Sequence, residues 1–417
     1  MPDRPRIVVF TTLFPNTTQP SSGIFIRERM FRVAKELPLM VVAPVPWFPF
    51  QGLIRIFRPH FRPTPPYREI QDGIEVLHPR FFSIPGIAKS LDGLFLALST
   101  FVLMQRLQRK HNFNIIDSHF AYPDGYAASL LGKWLGVPIT ITLRGTEVRH
   151  SNNPQLRPLL VSALHHAACV FSVSDSLRRH VINLGIPDNK IRVVGNGVDT
   201  AKFHPVSRLE ARTQLGINVD APVLISVGGL VERKGFHRVI ECLPELKTYF
   251  PELVYLIVGG ACAEGDIRPQ LEQQVVALGL QHTVHFLGAM PADKLKWPLC
   301  AADVFVLATS NEGWANVFLE AMACGLPVVS TNVGGNAEVV CKPELGAIVP
   351  FGQREELKNA ISAALVKNWD RDAIIAYART NSWDSRVAAL TEEFSRLIAD
   401  LGTQVVQQPK IHSTPTP

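Results

Sequence analysis

The sequence predicts an α/β protein made of two Rossmann-like βαβ domains, and three observations carry that expectation. A length of 417 residues exceeds one ordinary core and points to two large domains or three small ones. Short β-branched runs recur, as in strands buried on both faces of a parallel sheet. Segments of helical periodicity follow them, set off by Gly, Pro, Asn and Ser turns.

Composition narrows the class. With 47% hydrophobic residues the chain can fill sizeable cores, yet no apolar run reaches the roughly 18 to 20 residues that span a bilayer. Met1 to Arg6 leads straight into a strand, without the apolar core and cleavage site of a secretory leader, so a cytoplasmic location is expected. Cys169, Cys242, Cys262, Cys300, Cys324 and Cys341 show no Cys-x-x-Cys and no paired histidine spacing. Buried thiols, rather than zinc ligands or a disulfide framework, are the expectation. The net charge of +6 is uneven: residues 1–200 hold 23 Lys and Arg against 13 Asp and Glu, and the remainder holds 19 against 23. A basic amino half meets something anionic, such as a membrane surface or a phosphorylated acceptor. No nucleic-acid motif accompanies it, so nucleic acid is not an expected partner.

In chain order, Ile7–Phe10 reads as the first strand, Thr11–Ser22 as a polar loop reaching Gly23, and Phe25, Ile26, Met30, Val33, Ala34 and Leu37 as the inner face of a helix. Residues 44–67 mix aromatics, prolines and arginines without strand or helix periodicity. Trp47, Phe48, Phe50, Phe57 and Phe61 beside Arg55, Arg58 and Arg62 suit either insertion into an anionic leaflet or packing on the amino domain. Leu91–Arg109 reads as a helix whose apolar stretch Leu94–Met104 is expected to be buried. Ile115–Asp117 is a strand ending at Ser118-His119-Phe120, Gly125–Leu135 a helix, and Ile139–Leu143 a strand closed by Arg144-Gly145-Thr146-Glu147. Cys169–Ser174 gives another strand, Asn196-Gly197 a tight turn, and residues 201–220 a linker.

The second domain, 221–380, opens with Val223–Val227 and the loop Gly228-Gly229-Leu-Val-Glu-Arg-Lys-Gly235. Strands follow at Tyr255–Val258 and Val284–Gly288. The richest stretch is 303–338: a strand at Val304–Leu307, turn residues Ser310–Gly313, a helix over Val317–Ala323 capped by Asn316, a stop at Gly325 and Pro327, then strand residues Val328-Val329. Glu312 then lies in the loop at the carboxyl edge of the sheet, and Glu320 one turn inside the helix. Open N–H groups near Asn316, Val317 and Phe318 suit a diphosphate. A carboxylate beyond them can hold a ribose diol, and one before them the hydroxyls of a group on the far phosphate. Asp370-Arg371-Asp372 has the spacing of a metal-binding pair but sits in a helix-like region and is assigned to the surface; no metal is expected. Helices at 350–366, 370–380 and 381–402 close the chain, and 403–417 reads as a disordered tail.

Glu312 and Glu320 with seven residues between them, Gly313, Asn316, the run Glu-Ala-Met-Ala-Cys-Gly-Leu-Pro-Val-Val and the later Gly-Gly-x-x-Glu closely resemble the retaining glycosyltransferases of family 4 with the GT-B fold. Two glutamates at that spacing are common by chance, whereas the full run is specific. The resemblance implies two Rossmann-like domains facing each other across a cleft, with residues 1–200 on the acceptor side and the 381–402 helix crossing back to them. It implies catalytic roles for His119, Glu312 and Lys234, with His119 facing the transferred sugar. It implies donor contacts from Gly23, Gly229, Arg233, Lys234, Asn316, Val317, Phe318 and Glu320. Relatives carry an arginine where this chain has Gly229, and Arg233 is the candidate replacement. The implied donor is a UDP- or GDP-linked sugar, used without metal or other cofactor. The implied acceptor is a glycan or a lipid-linked hydroxyl of cell-envelope biosynthesis. No GxGxxG follows the first strand, which argues against a dehydrogenase. A sugar-nucleotide epimerase, a phosphorylase and a catalytically silent scaffold remain as alternatives.

Overall fold

The computed structural model describes residues 4–20, 22–57, 61–262 and 264–406, with side chains to residue 400. Arg58 and most of the 403–417 tail lie outside the described residues. The chain divides into two compact units: Met1–Val173 with Leu177–Val194 and Arg386–Pro417, and Ser174–Ser176 with Gly195–Ser385.

The first unit holds strands β1 (Ile7–Phe10), β2 (Leu39–Val42), β3 (Val45–Trp47), β4 (Arg68–Gln71), β5 (Ile74–Leu77), β6 (Arg80–Phe82), β7 (Ile115–His119), β8 (Ile139–Leu143), β9 (Cys169–Ser172) and β10 (Ile191–Val193). The main sheet runs β10-β9-β8-β7-β1-β2-β5-β4, and β3 pairs only with β6. Every pairing is parallel except β4 with β5, a hairpin whose Asp72 and Gly73 both take positive φ, 49° and 80°. That matches the left-handed pair required by a tight hairpin turn, for which Asp-Gly is the sequence signature. Strands buried on both faces need helices on both sides. Four of them are α1 (Ile24–Val33), α2 (Gln51–Phe57), α3 (Asp92–His111) and α4 (Tyr126–Leu135). Val387, Leu390, Phe394 and Ile398 of the last helix, Trp383–Val406, join this unit's core, with Phe394 edge-on to Phe171 at 5.4 Å.

Two expectations for this unit are corrected. Residues 44–67 carry β3 and α2 rather than irregular chain. The stretch Lys89–His111 is long and apolar enough, by length and composition, to cross a membrane, where no such segment was expected. It packs one face on α4 and β6 and leaves the other exposed.

The second unit's sheet runs β13-β12-β11-β14-β15-β16, all parallel, from β11 (Val223–Val227), β12 (Val254–Val258), β13 (Val284–Gly288), β14 (Val304–Leu307), β15 (Val328–Thr331) and β16 (Gly346–Val349). Helices cover both faces. Phe318, Leu319 and Met322 pack on one side with Leu295 and Leu299; Phe236, Leu243, Leu271 and Ile361 pack on the other. Residues 201–220 are not a bare linker: they form the helix Arg208–Leu215, fixed by the fully buried Arg212. Its guanidinium donates to Ala301 O at 2.9 Å and Ala221 O at 2.8 Å and pairs with Asp303 Oδ2 at 2.9 Å. Asp303 also accepts Val223 N–H at 2.8 Å, so one carboxylate pins the amino ends of β11 and β14. Asp370 accepts the amide of Ala373 at 2.9 Å, so the Asp-x-Asp spacing marks a helix start.

Candidate active site

In each unit the strand order reverses between two neighbouring strands, and an α/β sheet binds ligands beyond the carboxyl ends of such strands. In the second unit those strands are β11 and β14. After β11 the chain passes Gly228 and Gly229, makes a tight turn over Glu232–Lys234, and starts the helix Phe236–Tyr249 through Gly235, φ 75°. A Cβ on Gly235 would lie 1.9 Å from Ala308 O, so this loop presses against the end of β14. Ser310 N–H and Thr309 Oγ1 donate to Arg233 O at 2.7 and 2.9 Å, tying the two loops together.

The result is a convergence of predicted residues. Lys234 Nζ lies 2.5 Å from Glu312 Oε1, and Arg233 Nη1 and Thr309 Oγ1 lie 3.3 Å from the same oxygen. The Glu312 side chain is only 9% exposed and that of Lys234 14%, so their attraction is weakly screened. Arg233 also forks onto Glu264 at 2.6 and 2.7 Å. Those hydrogen bonds raise its pKa above the usual arginine value, against the opposing effect of burial and with help from Glu312. From below, Gly334 (φ 52°) and Gly335 support the 312–313 backbone: added Cβ atoms would lie 1.6 Å from Glu312 O and 2.7 Å from Gly313 O. The Gly-Gly of the motif is therefore a close-approach pair.

The helix Asn316–Ala323 starts beside this cluster. Asn316 does not cap it; Asn316 is its first residue, and its Oδ1 accepts Asn196 Nδ2 at 2.9 Å. Phe318 is likewise corrected. Its ring is fully buried, 5.7 Å from Phe305, and its N–H donates to Ala315 O at 3.1 Å, so it offers no open donor. Among the described residues the amides of Asn316 and Val317 have no hydrogen-bond partner. Glu320, four residues past Asn316, shares its helix face and is partly exposed. Gly229 has no side chain to offer, and the guanidinium near Glu312 is that of Arg233, 3.3 Å from Oε1.

The first unit gathers a separate cluster where β1 and β7 adjoin. Asp117 and His119 share a face of β7. His119 is fully buried, with Nδ1 2.9 Å from Arg144 Nη2 and Nε2 3.3 Å from Asp117 Oδ2. Burial, opposed by Asp117 and reinforced by Arg144 and Arg29, lowers its pKa to about 4, so the ring is neutral at pH 7. Nδ1 then accepts from Arg144, and Nε2 carries the proton, near Asp117 but without hydrogen-bond geometry to it. The ring presents no surface to a sugar in this structure; what it holds in place is Arg144, whose guanidinium lies 5.1 Å over the Phe25 ring. Glu147 fixes the loop by accepting the amides of Ala121, Arg144 and Gly145 at 3.2, 3.1 and 2.7 Å. Gly23, φ 67°, opens α1, and a Cβ there would lie 2.4 Å from Leu13 O. Asp124 is enclosed behind the end of β1; its Oδ2 accepts Thr12 N–H at 2.9 Å and the Thr11 and Thr12 hydroxyls at 3.2 Å.

Among the described residues no group of three or more His, Cys, Asp and Glu is placed to hold a metal ion. Residues 207–381 match the family described as glycosyl transferases group 1, and residues 53–202 that described as Glycosyltransferase Family 4. Over 271 residues, 63% of this chain and 70% of the relative, the sequence is 30% identical to the GDP-mannose-dependent alpha-(1-6)-phosphatidylinositol monomannoside mannosyltransferase of Mycolicibacterium smegmatis.

The chain belongs to glycosyltransferase family 4.

It is 27% identical to TuaC of Bacillus subtilis, assigned by name to teichuronic acid biosynthesis, over 92% of each chain. The structure of Anabaena HepE in complex with UDP superposes with a TM-score of 0.66 at 21% identity, covering 97% of this chain and 100% of that one. Sucrose-phosphate synthase of Thermosynechococcus elongatus gives 0.70 at 20% identity, covering 97% and 99%. These two likenesses concern the fold, which is GT-B. As a family 4 member the chain is an enzyme of the transferase class. Glu264, Asn196 and Arg144 were not assigned from sequence, because each reaches its partner across a long chain separation.

Proposed function

We propose that this family 4 glycosyltransferase moves a sugar, with retained anomeric configuration, from a UDP- or GDP-linked donor to a hydroxyl of a glycan or lipid-linked acceptor in cell-envelope biosynthesis. The carrying observation is the junction of Lys234, Arg233 and Glu312 with the open amides of Asn316 and Val317. It supports a diphosphate over the helix start, with the ribose diol on Glu320. Relatives named for teichuronic acid and phosphatidylinositol mannoside synthesis support the choice of acceptor.

Departure of the diphosphate leaves oxocarbenium-like charge on the sugar and negative charge on the leaving oxygen. Lys234, Arg233 and the two amides supply positive charge there, so this reading calls for no metal. Glu312, gripped by two cations, serves to orient sugar hydroxyls and to release Lys234 to the phosphate. This reading assigns no carboxylate as a nucleophile: the acceptor oxygen attacks the face the diphosphate leaves. The bond from the anomeric carbon to the phosphate oxygen breaks, the bond to the acceptor oxygen forms, and the acceptor proton passes to the leaving phosphate. His119 acts at one remove, by holding Arg144.

A panel of UDP-, GDP- and ADP-sugars, read as protection against thermal unfolding and then as product stereochemistry, tests the proposal. One UDP- or GDP-sugar should protect and give a retained product. Glu320→Ala should raise the donor KM with kcat less affected. Donor turnover that yields an epimer without acceptor would make the chain an epimerase. Absence of turnover with every donor would leave a silent scaffold.

A further inference from the structure

The outer face of α3 is apolar where a solvated helix would be polar. Gly93, Leu96, Ala97, Thr100, Met104 and Leu107 face inward. On the opposite side Leu91, Leu94, Leu98 and Val102 are 43%, 36%, 55% and 53% exposed. Their spacing of three or four residues makes one stripe about 16 Å long. The stripe runs on into Arg106, Arg109 and Lys110, all exposed. The helix has a single carboxylate, Asp92, which is buried and paired with Lys89.

A second apolar surface lies on α2, which is tied through the 61–64 segment to the chain entering α3. Leu53, Ile56 and Phe57 of α2 are 61%, 71% and 85% exposed. The 61–64 segment and the turn leading into α3 meet at Ser83, whose carbonyl accepts Arg62 Nη1 at 2.5 Å and whose hydroxyl accepts Lys89 Nζ at 3.2 Å. At the flank, Trp134 of α4 is 43% exposed and lies edge-on to Phe101 of α3 at 5.5 Å. Two of the arginines first singled out for lipid contact, Arg55 and Arg62, have other work. Arg55 donates to Phe61 O and Thr64 Oγ1, and Arg62 lies over the Phe48 and Phe61 rings, so both hold the loop together.

We propose that the outer faces of α2 and α3 dock on an anionic lipid bilayer, with the apolar stripe in the headgroup–acyl boundary and Arg106, Arg109 and Lys110 on the anionic headgroups. An exposed apolar patch of this extent needs a partner. An apolar face bounded by basic residues and free of exposed carboxylates fits an anionic interface, and the exposed Trp134 fits the depth at which tryptophan settles. The basic excess of residues 1–200 adds long-range attraction of the same sign. The inference rests on the lipid-linked acceptor reading for its purpose, not for its physics.

The test is co-sedimentation of the full chain with phosphatidylcholine vesicles, with and without phosphatidylglycerol. The wild type should partition onto the phosphatidylglycerol vesicles and be displaced by salt. Leu94→Glu/Leu98→Glu and Arg106→Glu/Arg109→Glu/Lys110→Glu should each weaken partitioning by about tenfold or more. Both should keep the melting temperature and the donor turnover measured with a water-soluble acceptor. Equal partitioning of wild type and variants, absence of wild-type binding, or a solution dimer lost in Leu98→Glu would overturn the proposal. Intact turnover on a soluble acceptor without vesicle binding sinks the docking surface and spares the transferase. Vesicle binding without transfer to any lipid-linked acceptor does the reverse for the acceptor reading.

Discussion

Replacing Lys234 with alanine removes the cation nearest Glu312. The Lys234 side chain is 14% exposed and its ammonium lies 2.5 Å from Glu312 Oε1, so it works where water screens little. If it transfers to the leaving phosphate, its loss resembles the loss of one preorganised donor to a developing oxyanion. That costs about 10² to 10³ in kcat, or about 2.7 to 4 kcal/mol. Stability should fall somewhat less, by about 1 to 3 kcal/mol, because Arg233 and Thr309 remain within 3.3 Å of the same carboxylate oxygen. Saturating-donor turnover and a thermal melt on the same preparation separate the two effects. A variant with the wild-type melt and kcat within about threefold of wild type, less than 1 kcal/mol of barrier, would refute the assignment.

Gly334→Ala should cost about 2 kcal/mol or more and depress turnover, because its Cβ would meet Glu312 O at 1.6 Å at φ 52°. Gly136→Ala, at φ 68° with nothing within 4 Å, should cost only about 1 kcal/mol; denaturant melts compare them, and equal costs would remove the close-approach argument. Arg212→Ala leaves Asp303 with Arg208 at 2.5 Å and the Val223 amide, but takes the buried donor from Ala301 O and Ala221 O, and should cost about 1 to 3 kcal/mol without changing the donor KM of the folded fraction. A melt unchanged from wild type would contradict it. Burial raises the Asp124 carboxyl from 3.8 to about 7, so the folded state holds its proton while the unfolded chain loses it. That contribution is complete below pH 3.8 and is lost as pH rises through 7. The melting temperature of wild type relative to Asp124→Asn should therefore fall from about pH 4 to about pH 8, and parallel profiles would contradict it. The buried His119, with the opposite sign, is common to both proteins and cancels.

What was legible in the sequence was local. Lys234, Glu312 and the Gly-Gly pair sit on the loops after β11, β14 and β15, neighbouring strands in the order that parallel crossovers produce, so motif and place agreed. Phe318 was misplaced because an open-amide argument counts positions and ignores faces: a helix resting on β14 turns 318, 319 and 322 inward. The Asn316 cap failed because Asn196, 120 residues away, holds its side chain. Glu264 gave no local signal at all. In α3 the error ran the other way. Leu94, Leu98 and Val102 are apolar enough to read as core, and only the packing of α4 and β6 on the far side shows them to be the outer face.

A crystal structure of the enzyme with a non-hydrolysed donor sugar nucleotide reaches the central claim most directly. The account predicts the diphosphate on the amides of Asn316 and Val317, Lys234 turned from Glu312 to a phosphate oxygen, and the ribose hydroxyls on Glu320. A donor bound elsewhere in the second unit, with the Lys234–Glu312 pair intact, would contradict it.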